Sequence, residues 1–203
     1  MLTFEEFAKK VDLHSLSHRG LNRELIPKWL NTAQRDLDGK ISSSAYGQTP
    51  LIIQEQVIQL LKLQADDVFL DLGAGGGGVM VSVLEQGISA FGIEQNPLLV
   101  EAGRCFLESR GFAGERLTLG DFLDCDWPTV SKLYAATSRF SDTTMAGLIR
   151  RVQETTSIRR VVTLGREPVF SKDWIQQTRM ERGVAWNPDE VELVEQLSSW
   201  ERR

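Results

Sequence analysis

The segment VFLDLGAGGGG, residues 68–78, limits what this chain can fold into more than any other. Its first five residues read as a buried strand. That strand runs through Asp71 directly into Gly73, Gly75, Gly76, Gly77 and Gly78, and a helical stretch follows. Glycines at such a turn reach backbone conformations closed to other residues and let a ligand approach main-chain atoms closely. The match of Gly73, Gly75 and Gly78 to GxGxxG is shared by nucleotide enzymes of several kinds. Asp71 narrows the choice: a carboxylate two positions before the first glycine repels a pyrophosphate and attracts a cationic group.

From Asp67 onward, short apolar runs alternate with longer amphipathic ones, the pattern of successive β-α units. Strands are predicted at VFLDL, SAFGIE, RLTLGD, KLYAAT and RRVVTLG, with helices over Gly77–Gln86, Pro97–Ser109 and Asp142–Glu154. Such alternation implies an α/β fold, a mainly parallel Rossmann-like sheet with helices on both faces. Pro50 suits the first turn of a helix reaching about Leu63, with Thr49 as its cap. Two amphipathic segments, near Leu2–Val11 and Leu21–Leu37, precede a turn-rich linker, DLDGKISSSAYGQTP. The expected organisation is a helical arm or lid over residues 1–45 and one α/β domain over 46–203, since a chain of 203 residues buries one full-sized core. The tail, WIQQTRMERGVAW and then DEVELVEQLSSW, reads as a strand pair or as a strand and a helix; periodicity leaves both open.

No stretch approaches the roughly 20 apolar residues of a membrane span, and the acids in MLTFEEFAKKVD do not suit a signal peptide, so a cytoplasmic protein is expected. Cys105 and Cys125 are the only cysteines and lack metal-ligand spacing, which makes them buried free thiols. A net charge of −5 weighs against broad attraction to phosphates, so no nucleic acid is expected as a partner. The doublets Arg150-Arg151 and Arg159-Arg160 read as solvated ends of elements.

With Asp71, Gly73, Gly75 and Gly77 as an acid followed by GxGxG, the sequence resembles the class I S-adenosylmethionine-dependent methyltransferases. S-adenosyl-L-methionine has no phosphate and carries an ammonium and a sulfonium, in keeping with Asp71. The resemblance implies a seven-stranded sheet completed by a C-terminal antiparallel hairpin. It also implies that Glu94, 23 residues beyond Asp71, accepts the ribose hydroxyls beside Gln95, and that Asp121 and Phe122 hold the adenine. AYGQTP, GIEQNPLLVEAGR and GDF followed by DW resemble the Dot1-like lysine methyltransferases and their small prokaryotic relatives. In that group an asparagine-rich NNF follows the fourth strand; here Ser138, Arg139 and Phe140 stand in its place with different chemistry. The (N/D)PPY of amino-directed nucleic-acid and glutamine methyltransferases is absent, which argues against a base amine or a glutamine amide as acceptor.

Ser138, Arg139 and Tyr46 are the catalytic candidates, and Ser138, Arg139 and Phe140 the acceptor-binding ones. Thr49 and Tyr46 read either as contacts to the cofactor or acceptor, or as a helix cap and a packing aromatic. His14 and His18 sit four apart but in a loop-like context, and Asp142 reads as a helix cap before a magnesium ligand, so no metal is expected. Trp29 and Trp186 are candidates to line an apolar pocket; core packing is the default for the other tryptophans. Methyl transfer from a sulfonium is an in-line displacement that requires no metal. The reading is therefore metal-independent transfer to a nitrogen or oxygen of a small-molecule acceptor. A protein lysine, by the Dot1-like resemblance, is the alternative acceptor, and a non-catalytic S-adenosylmethionine-binding scaffold is a further reading. A nicotinamide oxidoreductase shares the GxGxxG and Glu94 but not Asp71 and Asp121.

Overall fold

The computed structural model describes residues 49–184 and 193–203. The expected arm over 1–45, together with His14, His18, Trp29, Tyr46 and Trp186, lies outside the described residues. The remainder is one seven-stranded sheet. Its strands are β1 (Val68–Leu72), β2 (Ser89–Glu94), β3 (Leu117–Leu119), β4 (Lys132–Ala136), β5 (Arg160–Leu164), β6 (Trp174–Val184) and β7 (Leu193–Arg202). Its helices are α1 (Leu51–Leu61), α2 (Gly78–Leu84), α3 (Pro97–Ser109) and α4 (Asp142–Glu154). The sheet order is β3-β2-β1-β4-β5-β7-β6. The first five strands pair in parallel, and β7 runs antiparallel between β5 and β6.

β1, β4 and β5 read as unbroken apolar runs because both their faces are covered, as a parallel sheet requires. On one face Ile53, Val57 and Leu61 of α1 recur at every fourth position and pack with α2 and α3 over Phe69, Tyr134 and Val162. On the other face Met145, Leu148 and Val152 of α4 pack on Leu70, Leu133 and Val161. Each such aliphatic side chain contributes about 1.5–3 kcal/mol by leaving water. The doubly covered α/β sheet and the antiparallel C-terminal pair thus agree with the expected architecture, and the tail resolves to strand and strand. Among the described residues no helix is long and apolar enough to cross a membrane.

Several local expectations need correction. β3 stops at Leu119, so Asp121 lies in the turn beyond the strand instead of ending it. Thr49 does not cap α1: Pro50 occupies the N-cap position without a side-chain bond, and the Thr49 hydroxyl is 3.1 Å from the Tyr134 hydroxyl. Ser141, not Asp142, caps α4 by accepting from the Thr144 N–H. Asp142 instead pairs with Arg166 at 2.5 Å. The two cysteines are free thiols but only half-buried.

The arginine doublets are largely structural. Arg151 donates to the main-chain carbonyls of Phe122, Leu123 and Cys125 and lies 4.4 Å over the Trp127 ring. Arg159 bonds the buried Asp67 at 2.7 Å, and Arg160 bonds Glu201 at 2.5 Å. Arg150 and Arg159 are exposed, Arg151 is half-buried and Arg160 is buried.

Candidate functional site

In an open α/β sheet, ligands bind beyond the carboxyl ends of the strands where the strand order reverses. Here that point lies between β1 and β4. Gly73, Gly75 and Gly77 follow β1 with φ of 75°, 55° and 79°, in the left-handed region that side chains other than glycine enter at a cost. The turn is fixed to the neighbouring strand, since the N–H groups of Gly73 and Ala74 both donate to the Ile93 carbonyl, at 2.9 and 3.1 Å. Behind it, Gly103 of α3 stands so close to Gly76 that an added Cβ would lie 3.0 Å from the Gly76 oxygen.

Two buried carboxylates frame this turn. Asp71, on β1, is 2% exposed, and Glu94, the last residue of β2, is 8% exposed. Burial, and then the charge of Glu94, pushes the Asp71 carboxyl up to about 8. Burial also raises Glu94, opposed by main-chain N–H groups of Asn96, Gly75 and Gln95. Glu94 Oε2 accepts from the Gly75 N–H at 2.9 Å and Oε1 from the Asn96 N–H at 2.8 Å. A carboxylate has about four lone-pair sites, so these two bonds leave room for further donors. The sequence separated the glycine turn from Glu94; the structure joins them by a hydrogen bond.

The remaining candidates are distributed around this centre. Gln95 is exposed next to Glu94. The turn carrying Asp121 is drawn to the end of β2 by the Gly120 N–H, which donates to the Glu94 carbonyl at 2.9 Å. Asp121 is exposed, and its Oδ1 accepts from the Leu123 N–H at 2.8 Å. Phe122 is buried and stacks on Phe140 with centroids 5.3 Å apart, so a cofactor-side and an acceptor-side candidate share one packing contact.

Ser138, Arg139 and Phe140 form a turn directly after β4, closed by the Phe140 N–H donating to the Thr137 carbonyl at 3.0 Å. Thr137, which the sequence reading passed over, anchors this turn. Its hydroxyl donates to the Arg166 carbonyl at 2.7 Å, and its N–H donates to the Leu164 carbonyl at 2.7 Å. Arg166 returns the contact through the Phe140 carbonyl at 2.5 Å. The turn is packed against Gly165, where an added Cβ would lie 2.5 Å from the Ser138 nitrogen.

Thr49 is brought to the sheet centre by Tyr134, the register partner of Asp71. Thr49 and Asp71 thus belong to one neighbourhood that sequence distance hides; Tyr134 was not among the candidates. A tyrosine in an otherwise apolar strand is the signal that could have found it, because its buried hydroxyl must have a partner.

Gly75→Val is expected to abolish measurable binding at this turn, because a β-branched side chain meets a left-handed φ and crowds the approach to the main chain. The strain itself costs roughly 1–2 kcal/mol, so a modest fall in thermal midpoint accompanies the loss. Titration and melting of the same variant check both; unaltered binding would mean that the turn does not touch the ligand.

Residues 35–102 match the family described as Histone methylation protein DOT1. That is 68 of 203 residues, and the match ends before the turn after β4. Over 78 residues the chain is 32% identical to a ribosomal RNA small subunit methyltransferase H of Synechococcus sp. (strain JA-3-3Ab). The match covers 37% of this chain, and the chain spans a quarter (25%) of the length of that relative. Among solved structures, it is similar to an RNA methyltransferase from Salinibacter ruber in complex with S-adenosyl-L-homocysteine. The TM-score is 0.58 at 19% identity, covering 76% of this chain and 93% of that one. It is also similar to a dimethyladenosine transferase from Plasmodium falciparum, with a TM-score of 0.61 at 13% identity, covering 78% of this chain and 64% of the other. With its sheet order, its glycine turn and these likenesses, the chain has the fold of the class I S-adenosylmethionine-dependent methyltransferases.

Proposed function

We propose that this protein is an S-adenosyl-L-methionine-dependent methyltransferase that acts, without a metal, on a nitrogen or oxygen of a small-molecule acceptor. The observation that carries the reading is the pair of buried carboxylates, Asp71 and Glu94, set around a left-handed glycine turn. A dinucleotide would bring its pyrophosphate against two acids. An ammonium, a sulfonium and ribose hydroxyls meet hydrogen-bond acceptors and negative charge instead.

Asp71, Thr49 and the turn through Gly73, Gly75 and Gly77 hold the methionine part, Glu94 and Gln95 the ribose, and Asp121 with Phe122 the adenine. Bound there, S-adenosylmethionine supplies an electrophilic methyl group on a sulfonium sulfur. What remains for the protein is alignment of the acceptor, and removal of a proton where the acceptor enters protonated. Ser138, Arg139 and Phe140 take the acceptor side, on a turn made rigid by Thr137 and Arg166.

A small acceptor is supported by where the arginines go. Arg151, Arg159, Arg160, Arg166 and Arg179 all bond carboxylates or main-chain carbonyls within the fold. A net charge of −5 gives the chain as a whole no general attraction to a polyanion. The second reading is an RNA acceptor, favoured by the names of the similar proteins. The DOT1 match stops short of the acceptor turn, so it supports the cofactor half and leaves a lysine acceptor without support of its own.

Calorimetric titration with S-adenosylhomocysteine, alongside NADH, tests the cofactor. Micromolar binding of the first alone is expected, and binding of NADH alone overturns the reading. Transfer of a labelled methyl group to a panel of small amines and alcohols, with RNA in parallel, then decides the acceptor. Label in RNA only would replace the small-molecule reading with the second.

A further inference from the structure

A buried polar chain runs beneath the candidate site. Tyr134 sits in the middle of the sheet, 1% exposed, with its hydroxyl 3.1 Å from the Thr49 hydroxyl. The Thr49 carbonyl accepts from Gln54 Nε2 at 2.7 Å, and Gln54 is 2% exposed. Gln54 Oε1 in turn accepts from the Ser82 hydroxyl at 3.3 Å. That hydroxyl also lies 3.2 Å from the carbonyl of Gly78, where the glycine turn becomes α2. The chain therefore connects β4, the entry to α1 and the end of the turn, and Tyr134 is the register partner of Asp71.

A phenylalanine would fill the sheet centre without requiring a partner for a buried hydroxyl, which costs free energy unless hydrogen-bonded. The hydroxyl is informative for that reason, and it is partnered by Thr49, the residue that leads into α1. Burial raises the phenol well above its ordinary range, as does the neighbouring Asp71. It therefore stays protonated and is available as a donor.

We propose that Tyr134 is a positioning residue for cofactor binding: its hydroxyl fixes Thr49, and through Gln54 and Ser82 it sets the entry to α1 against the glycine turn. The Thr49 hydroxyl is thereby held in one orientation instead of rotating freely. The proposal rests on the cofactor reading above, with Tyr134 acting through Thr49 and not on the reacting atoms.

The test is titration of the full chain with S-adenosylhomocysteine, with melting of the ligand-free protein in parallel. Tyr134→Phe and Thr49→Val are each expected to weaken binding about tenfold. The double variant should be no weaker than Thr49→Val alone, because Tyr134 acts only through Thr49. Thr49→Ser, which keeps the hydroxyl, should bind within about twofold of the unaltered protein. Tyr134→Phe binding as the unaltered protein does, or Thr49→Ser failing as Thr49→Val does, overturns the proposal. A fall in melting temperature with unchanged affinity assigns the chain a purely structural role and overturns it too. If the unaltered protein fails to bind, the cofactor reading falls first and this inference falls with it.

Discussion

Affinity for S-adenosylhomocysteine is expected to rise as the pH is raised from 6 to 8, by up to about tenfold per unit, with one proton released per ligand bound. The cause is Asp71, whose carboxyl burial and Glu94 together push up to about 8. In the ligand-free protein this carboxyl therefore holds a proton at neutral pH, and a ligand ammonium nearby favours its loss. Titrations in buffers of different ionisation enthalpy measure the released proton directly. A flat profile between pH 6 and 8 would mean that Asp71 is already ionised in the ligand-free protein.

The same group sets the sign of the stability profile. The folded carboxyl is raised above its ordinary value of 3.8, so across pH 4 to 8 the folded protein keeps a proton that the unfolded chain has given up. The contribution of Asp71 to stability is complete at the acid end and is lost as pH rises through that window. Melting of the ligand-free protein should accordingly show a downward contribution between pH 5 and 8 that saturating ligand removes.

Glu94→Ala is expected to produce the second large effect, weakening ligand binding by about 1.5–3 kcal/mol, roughly 10- to 150-fold, the range for hydrogen bonds to a charged group. The structure adds a further loss. Glu94 accepts from the Gly75 and Asn96 N–H groups, so alanine also leaves these main-chain donors without their partner and loosens the turn. Glu94→Gln supplies one amide oxygen in place of two carboxylate oxygens and should fall between alanine and the unaltered protein. Calorimetry of all three proteins checks the order; equal affinity across the series would remove Glu94 from the site.

Much of this architecture was readable because a strand covered on both faces has to be apolar along its whole length. VFLDL and SAFGIE correspond to β1 and β2 residue for residue. The second half of the tail was ambiguous for another reason: Leu193, Val194, Leu197 and Trp200 of β7 recur at intervals that suit a helix as well as a strand. Neighbouring residues of similar chemistry were hard to separate, as with Ser141 and Asp142, both good caps, of which the structure uses the first. At the site, Asp71, Glu94 and the glycines were legible because their spacing is local. The bonds from Thr49 to Tyr134 and from Thr137 to Arg166 span 85 and 29 residues, and only the folded sheet brings those partners together.

Because β7 lies between β5 and β6, the order of pairing along the sheet is not the order of synthesis. A chain emerging amino-terminus first makes β6 before the strand that β6 pairs with exists. Until Leu193–Arg202 is seated, β5 is left with an open edge, and Trp174–Val184 has nothing in the sheet to join. The ten residues of β7 thus act as a keystone: losing them would leave β6 without its partner and expose the β5 edge to pairing with other chains.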